Sequence, residues 1–402
     1  MPWTTTSPMS LRLDFVHAVH QRHRPITELC HGFHISEKTG HKWLARFAAE
    51  GEPGLVDRPP LAHAFPHQLS PAVAAAILAC RKRHPTWGPR KLRAYLARTR
   101  PRTAWPAPST IGALLYRQGL VRPRRRPGGG PARWAPLDQP LTHAQAPNDV
   151  WTTDFKGEFR LGSGAYCYPL TALDADSRFL LECRALASTA SASAHRVFSR
   201  LFHTYGLPRV IRSDNGVPFA SPVALSRLST LAVWWIRLGI RPERIAPGAP
   251  QQNGAHERMH KTLKAETTRP PAASAARQQA RFNAFRHEYN TERPHEALGL
   301  QVPASRYHAS PRPMPTRLPE LEYPAHVEIR RVQTTGMIRW RCTPVCLTTV
   351  LAGEAVALEP IAADEWRVSF GPLVLGTLHE PTRSFTPESY WKMDEMDPHP
   401  TP

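Results

Sequence analysis

The sequence is poor in the features that mark secreted and membrane proteins. Its 402 residues contain only 6 Cys, too few for a disulfide framework in a chain of this length. No apolar run approaches the roughly 18–20 residues that span a bilayer, and no basic-then-apolar leader opens the chain. These absences predict a cytoplasmic protein with no membrane partner.

Acidic residues are also scarce. The chain has 32 Asp and Glu against 52 Lys and Arg, a formal net charge of +20. Residues 1–135 alone hold 22 basic and 6 acidic residues, a net of +16. Because neutralising phosphates releases counterions, this imbalance predicts a nucleic-acid partner. The alternative is a positive charge that serves solubility only.

Three of the few acidic residues stand in unusual settings. Asp154 lies in an alternating apolar and polar stretch that predicts a strand. Asp214 follows a short β-branched run and precedes an Asn-Gly turn, so it is predicted at a strand end. Glu257 opens a helical pattern, and 59 and 42 residues separate the three acids in turn. Two strand ends and a helix start can bring three carboxylates together to hold two divalent cations about 3.5–4 Å apart.

These stretches resemble a known family. Three stretches carry the resemblance: Trp151-Thr-Thr-Asp-Phe-Lys-Gly, Ser213-Asp-Asn-Gly-Val-Pro-Phe-Ala and Pro250-Gln-Gln-Asn-Gly-Ala-His-Glu. They are similar to the Asp-Asp-Glu motif of DDE transposases. DDE transposases belong to the retroviral-integrase-like superfamily, and the resemblance is to its bacterial insertion-sequence type. It extends from about Leu11 to about Thr377.

The resemblance implies a function and a site. It implies a transposase that binds transposon ends and target DNA, both double-stranded, and cleaves and transfers strands as a homo-oligomer in the bacterial nucleoid. Asp154, Asp214 and Glu257 would be catalytic and would bind two Mg²⁺ or Mn²⁺ ions per active site. Glu266, on the same predicted helix as Glu257, is the rival for the third position.

Two other functions stay open on the sequence. One is a catalytically silent, transposon-derived protein that binds specific DNA sequences. The other is a structure-specific nuclease on the same fold. The presence of all three carboxylates argues against the first alternative. Two predicted DNA-reading units in tandem, described next, argue against the second.

Residues 10–53 predict a helix-turn-helix DNA-binding unit. Three helices are expected, and Ser36 would cap the third, which runs to about Glu50. Gly40 inside that helix is expected to cost about 1 kcal/mol. An outward face of the third helix would contact DNA, with a solvated basic surface as the alternative. The candidate DNA contacts on it are Lys38, Thr39, His41 and Lys42.

Residues 69–122 predict a second unit of the same kind. Its helices are expected over 73–83, 87–98 and 109–118, with Ser109 capping the last. The motif that carries Arg90 and Lys91 resembles the second DNA-binding unit of the same family. An arginine cluster follows, and we expect it to clamp phosphates rather than read bases. Its members are Arg122, Arg124, Arg125 and Arg126.

Residues 146–309 predict the α/β catalytic core. Three antiparallel strands, a helix and a fourth strand are expected, the order that the resemblance to ribonuclease H-like folds implies. Asp174 and Asp176 are rival carboxylates, but their positions before Ser favour a role in a turn. Lys261 and Lys264 share a helix face with Glu257 and are predicted to contact DNA, with ordinary ion pairing as the alternative.

The remaining chain predicts a small β-barrel over residues 323–380. Five short strands are expected there between Gly, Pro and Asp turns. Residues 386–402 are expected to lack regular structure. The predicted fold class is therefore multi-domain: all-α helix-turn-helix units, an α/β ribonuclease H-like catalytic core and a small C-terminal β-barrel.

Overall fold

The structure is a computed structural model that describes residues 7–58, 69–121, 141–221, 224–246 and 250–393. Its contacts divide the chain into two compact units, Met1–Leu69 and Ser70–Pro402. Within the described residues, no helix has the length and apolar character needed to cross a membrane.

The first unit contains the three predicted helices. They are α1 Pro8–His20, α2 Ile26–Gly32 and α3 Glu37–Glu50. Ser36 caps α3 as predicted, because its side chain accepts a hydrogen bond from the Thr39 N–H. A Cβ on Gly40 would lie 2.6 Å from Cys30 Sγ, so the glycine lets α3 pack closely on α2. Gly40, which the sequence predicts to destabilise the helix, is therefore required by the close packing of α3 on α2.

Three more helices open the second unit. They are α4 Pro71–Arg83, α5 Pro89–Thr99 and α6 Pro108–Arg117. The prediction that Ser109 caps α6 is wrong: Ala107 is the N-cap and makes no side-chain hydrogen bond. Pro108 takes the first helical position, where a residue without an N–H loses nothing.

A mixed sheet follows. Its strands are β1 Val150–Phe155, β2 Phe159–Arg160, β3 Tyr166–Asp174, β4 Leu180–Leu186, β5 Val210–Ser213 and β6 Arg241–Arg244. Strand β3 pairs antiparallel with β1, β2 and β4, whereas β1, β5 and β6 run parallel. The helices are α7 Ser191–Tyr205, α8 Thr230–Arg237, α9 Gly254–Thr267 and α10 Ala275–Thr291. Four strands precede α7 because the first predicted strand is divided into β1 and the two-residue β2; the order otherwise matches the predicted strand–strand–strand–helix–strand order.

Two apolar cores lie against this sheet. Helices α7 and α8 contribute to one core, which includes Trp151, Phe198 and Trp235. Helices α9 and α10 contribute to the other, which includes Met259 and Phe282. The sheet is thus covered by helices, and α9, which begins just before Glu257, is fixed by its own apolar residues.

Side-chain hydrogen bonds add to this packing. The Asn290 side chain on α10 accepts from the Leu180 N–H at 2.8 Å and donates to the Leu180 carbonyl at 3.0 Å. Asp174 is fully buried and accepts from the N–H groups of Asn148 and Ser177 at 2.7 and 2.8 Å. The prediction that Asp174 serves a turn is confirmed.

The C-terminal part contains seven strands. They are β7 Glu328–Arg331, β8 Met337–Trp340, β9 Thr343–Cys346, β10 Ala355–Ala362, β11 Glu365–Phe370, β12 Leu373–His379 and β13 Ser384–Met393. The larger sheet runs β13-β12-β11-β10-β7 and the smaller pairs β8 with β9. These are open sheets within the described residues, so a closed barrel is not confirmed. Regular structure up to Met393 shows that the expectation for residues 386–393 was wrong.

The C-terminal sheet shares its core with α8 and the segment before it. Leu228, Val233 and Ile236 pack with the buried face of the C-terminal strands, including Val356 and Phe370. On the same helix, Leu231 and Trp235 pack into the core under the mixed sheet. Helix α8 therefore contributes to both cores.

Candidate active site

The sheet brings Asp154 and Asp214 side by side. Strands β1 and β5 are parallel, with Thr152 paired to Arg212. Continuing that register by two residues sets Asp154 opposite Asp214, on neighbouring strands about 4.8 Å apart. Both aspartates lie at the carboxyl ends of their strands and are half-buried.

A close backbone approach holds Asp214. The Gly216 N–H donates to Asp214 Oδ1 at 3.1 Å. A Cβ on Gly216 would stand 3.0 Å from Asp214 Oδ2, so a larger residue would crowd the carboxylate. Burial raises the pKa of Asp214, and the Gly216 hydrogen bond opposes that rise.

Glu257 completes the group from the first turn of α9. Its side chain is exposed. The pKa of Asp154 rises to about 7, first because the carboxyl is buried and then because of the negative charges of Asp214 and, less strongly, Glu257. Asp154 is therefore within electrostatic range of both other acids, and a bound cation would offset the charges that raise its pKa.

Glu266, the rival, is engaged elsewhere. Its carboxylate accepts a hydrogen bond from Arg293 Nη1 at 2.9 Å and another from the Thr86 hydroxyl. These contacts join α9 to the segment after α10 and to the α4–α5 connection. Glu266 therefore ties the helices together and does not belong to the carboxylate group.

A buried histidine pair lies beneath Asp154, and the sequence did not reveal its role. His256 and His260 stand one helical turn apart on α9, with ring centroids 4.6 Å apart. Burial lowers the pKa of His256 to about 3 and that of His260 to about 2. His260 Nδ1 lies 3.6 Å from Asp154 Oδ2. The four-residue spacing of the histidines around Glu257 was the only available signal.

Lysines flank the carboxylates. Lys261 and Lys264 are exposed on α9, as their helical spacing predicted. Lys156, two residues after Asp154, is half-buried; its pKa is lowered first by burial and then by the charge of Lys264. Sequence reasoning missed Lys156. The two neighbouring positive charges make a surface suited to a phosphate beside the carboxylates.

The helices α4 and α5 pack against the catalytic core through charged groups. Arg83 forms a salt bridge with Glu292 at 3.0 Å, and the buried His84 lies 2.8 Å from Glu288 Oε1. Arg98 donates to the carbonyls of Thr291 and Glu292 at 3.2 and 2.8 Å. The second helical unit is therefore docked on α10.

Because α5 is docked on α10, its two predicted DNA contacts, Arg90 and Lys91, differ in exposure. Arg90 is exposed, whereas Lys91 is half-buried. The pKa of Lys91 falls to about 8, first because of burial and then because of the nearby Arg293. Lys91 thus lies toward the core, and Arg90 is the one of the pair that is open to a ligand.

The remaining candidates are surface groups or lie outside the described residues. Lys38, His41 and Lys42 are exposed on α3, and Lys42 Nζ lies 4.4 Å from the Trp43 ring centroid. Thr39 is half-buried at the helix cap. Four arginines lie outside the described part: Arg122, Arg124, Arg125 and Arg126.

The chemistry of the donors suits a divalent metal ion. Mg²⁺ prefers oxygen ligands, and all three acids offer carboxylate oxygens. Among the described residues, no three His, Cys, Asp or Glu side chains are already arranged as a metal-binding cluster. The three acids match a divalent cation in donor type and in charge. Glu257 is exposed, whereas Asp154 and Asp214 are half-buried.

Family models match most of the described chain in three pieces. Residues 144–250 match a model described as an integrase core domain, and residues 238–303 match a second model with the same description. Residues 39–115, from α3 to α6, match a homeodomain-like domain. The integrase core matches include all three carboxylates.

Curated relatives come from insertion elements and retroviruses. A 31.7 kDa protein of insertion element IS407 from Burkholderia multivorans is 28% identical over 193 residues, 47% of this chain and 65% of that protein. A 39.2 kDa protein of IS476 from Xanthomonas euvesicatoria is 28% identical, covering 41% of this chain and 46% of that protein. The Pol polyprotein of feline endogenous virus ECE1 is 31% identical, covering 32% of this chain. The chain spans only 12% of that polyprotein's length.

Solved structures with similarity include retroviral integrases. The HTLV-2 integrase catalytic core domain in complex with magnesium is 14% identical, with a TM-score of 0.33, over 41% of this chain and 100% of that one. A chain of the simian T-cell lymphotropic virus intasome is 14% identical, with a TM-score of 0.37, over 76% and 99%. The sequence matches carry the assignment: the chain contains an integrase core domain preceded by a homeodomain-like helix-turn-helix region, and it is related to proteins of bacterial insertion elements.

Proposed function

We propose that this chain is a transposase that cuts DNA at a transposon end and joins the exposed end to target DNA. The observation that supports the proposal is that all three acids lie in integrase core matches and that the charges of Asp214 and Glu257 both raise the pKa of Asp154. Separate sequence stretches supply the three acids, whereas Glu266 is held by Arg293.

The reaction needs two phosphodiester exchanges. In the first, a water oxygen forms a bond to phosphorus and the 3′-oxygen of the transposon end leaves with a proton as a hydroxyl. In the second, that hydroxyl forms the new P–O bond on target DNA and the target's own 3′-oxygen leaves. One bond breaks for each bond formed, so no covalent protein intermediate is required.

The residues divide this work. Asp154, Asp214 and Glu257 would hold two Mg²⁺ or Mn²⁺ ions, which when bound stabilise attacking and leaving oxygens. Gly216 holds the Asp214 carboxylate in place through its N–H. Lys156 and Lys264 would bind the phosphates next to the reacting one, because their positive charges lie beside the carboxylates.

DNA recognition is assigned to the helical units. Exposed Lys38, His41 and Lys42 on α3 would contact the end sequence, and Arg90 on α5 would contact a second stretch of it. The docking of α4 and α5 on α10 would fix that second stretch relative to the carboxylates. Joining two transposon ends requires two active sites, so we propose a homo-oligomer on DNA.

The test is Asp214→Asn, which removes one ligand charge at nearly unchanged volume. We expect end cleavage and strand transfer in Mg²⁺ to fall below detection, while binding to duplex that carries the element's terminal repeat remains. Glu182→Gln is a matched control, since Glu182 is a buried acid that is paired with Arg200 and Arg286. Cleavage by Asp214→Asn at the wild-type rate would remove Asp214 from the site. Wild-type binding to end DNA without cleavage would favour the silent DNA-binding protein.

A further inference from the structure

A path of close side-chain contacts runs from Thr152 on strand β1, through α9 and Thr171, to Asp154, and its last step is longer than a hydrogen bond. Thr152 Oγ1 lies 2.9 Å from His256 Nδ1. His256 Nε2 and His260 Nε2 each lie 2.7 Å from the Thr171 hydroxyl. His260 Nδ1 then faces Asp154 Oδ2 at 3.6 Å. The threonines and histidines are all buried, with exposures of 0–7%.

We propose that His260 is a positioning residue for Asp154, with its Nδ1–H directed at the carboxylate by the hydroxyl of Thr171. This inference rests on the proposed function, because it concerns how a metal-binding carboxylate is oriented. It assigns a role to two histidines that are not themselves metal ligands.

The direction follows from counting protons. Each neutral imidazole has one N–H and one bare nitrogen, and each hydroxyl has one proton. An ionised Asp154 only accepts hydrogen bonds, so His260 must turn its Nδ1–H toward Asp154 and its bare Nε2 toward Thr171. The Thr171 hydroxyl then donates to His260, and its oxygen accepts the Nε2–H of His256.

The count of hydrogen-bond protons also holds at Thr152, the other end of the path. His256 is left with a bare Nδ1, which accepts the hydroxyl proton of Thr152. Competing acceptors are more distant: the Leu173 carbonyl is 3.2 Å from Thr152 Oγ1, and the Asp154 carbonyl is 3.0 Å from Thr171 Oγ1. The reverse direction would place a bare nitrogen against the Asp154 carboxylate. While Asp154 is ionised, as it must be to bind a cation, one direction alone satisfies all the groups.

The consequence is a carboxylate with a restricted orientation. The 3.6 Å gap exceeds a hydrogen bond, so the N–H guides Asp154 electrostatically and can close on it after a small side-chain rotation. Groups that orient a metal ligand in this way typically contribute 10–100-fold to metal affinity. Helix α9 carries both histidines and Glu257, so the same path also fixes the helix that supplies the third acid.

Two substitutions at His260 separate positioning from support. The side-chain amide nitrogen of Asn stands about where Nδ1 stands in His and can donate there, whereas the amide oxygen of Gln can stand where Nε2 stands and accept the Thr171 hydroxyl proton. His260→Asn therefore keeps a donor toward Asp154 and loses the Thr171 contact. His260→Gln keeps the Thr171 contact and loses the donor toward Asp154.

The measurement is Mn²⁺ titration of the full chain without DNA, with the free ion followed by electron paramagnetic resonance. We expect His260→Gln to weaken Mn²⁺ binding about 10–100-fold and His260→Asn to stay within a few-fold of wild type. A second pair checks the path: Thr171→Val should weaken Mn²⁺ binding and Thr171→Ser should preserve it. Thermal unfolding of each metal-free variant is recorded alongside, so that a loss of folding is not taken for a loss of affinity.

The outcomes distinguish the two proposals. If wild type binds Mn²⁺ and both His260 variants bind it equally well, or Gln binds better than Asn, the positioning role is overturned and the metal site stands. If folded wild-type protein binds no Mn²⁺, the metal site of the proposed function is overturned, and the inference with it.

Discussion

The carboxylate of Glu266 is paired with Arg293 at 2.9 Å, on the same helix whose first turn leaves Glu257 exposed beside Asp154. Nine residues along α9 thus separate an acid that joins helices from an acid that repels its neighbours. This difference decides which glutamate we assign to the active site.

The first prediction compares those glutamates. Glu257→Gln is expected to abolish end cleavage in Mg²⁺ with no loss of thermal stability, since its side chain is exposed. Glu266→Gln is expected to retain cleavage and to lower the free energy of unfolding by about 1–3 kcal/mol, because Arg293 keeps a buried charge without its partner. Cleavage assays and thermal unfolding of both variants test this. The reverse pattern would show that Glu266 is the catalytic acid.

The second prediction concerns pH. The Asp154 pKa is about 7 in the folded chain and about 3.9 in an unfolded one. The folded state therefore keeps a proton that the unfolded state has lost, and stability falls as pH rises from about 4 to about 7. Asp154→Asn should remove this slope and be more stable than wild type above pH 7. The gain is at most about 4 kcal/mol, and solvent screening of a side chain that is 27% exposed reduces it.

Melting temperatures of wild type and Asp154→Asn between pH 4 and 8, in a chelating buffer, measure the difference. It should grow with pH and level off above about 7. Added Mn²⁺ should shrink the difference by stabilising wild type only. Parallel curves for the two proteins across this range would mean that the Asp154 pKa is not raised.

The third prediction concerns the packing of α3. Gly40→Ala places a methyl group 2.6 Å from Cys30 Sγ and 3.0 Å from Phe15 Cζ. Overpacking of this kind costs about 1–3 kcal/mol, more than the roughly 1 kcal/mol that Ala contributes to a helix. Chemical unfolding of a fragment of residues 1–69 should show a net loss. In a Cys30→Ala background the same change should cost less, and an equal cost in both would exclude this contact as the cause.

The fourth prediction concerns the docked helices. Arg98→Ala removes hydrogen bonds to two carbonyls at the end of α10 and should lower the free energy of unfolding by about 1–2 kcal/mol. Arg102→Ala makes the same change in charge at an exposed position and should not affect it. Differential scanning calorimetry of the full chain gives the comparison. Equal stability of both variants would argue against docking through Arg98.

The fifth prediction separates base reading from phosphate contact. Lys42→Ala, if Lys42 touches a base, should cost about 1–3 kcal/mol on end DNA and little on random duplex. Replacing Arg124, Arg125 and Arg126 together should weaken binding to both duplexes. It should also flatten the slope of log K against log salt by about 0.9 per lost phosphate contact. Salt titrations on both DNAs test this; a loss confined to end DNA in the triple variant would make those arginines readers.

Much of the fold was predictable because it depends on local patterns. Ser36 begins α3 and Gly51 ends it as the capping pattern indicated, and the alternating residues of β1 place Asp154 at a strand end. The start of α6 was misplaced because Pro108 can begin a helix without a polar cap. The edge strand Ser384–Met393 was missed although it pairs with β12, the strand just before it, because its own residues lack a clear strand pattern.

The acids of the candidate site were predictable from the sequence, but the roles of the residues around them were not. Motif spacing singled out Asp154, Asp214 and Glu257, but the choice against Glu266 required the Arg293 contact. The role of Thr171 depends on its register opposite Asp154 in β3, which is a tertiary fact. The contacts of His256 and His260 with threonines of β1 and β3 likewise depend on how α9 packs against the sheet.

Helix α8, between Asp214 and Glu257, packs on one side into the catalytic core and on the other into the C-terminal sheet. The segment between the second and third acids therefore also contributes to the core of the C-terminal sheet. A gene truncated before β7 would leave Val233 and Ile236 facing water and would loosen the segment that leads into α9. A change far downstream of Glu257 is thus expected to affect the segment that joins the second and third acids.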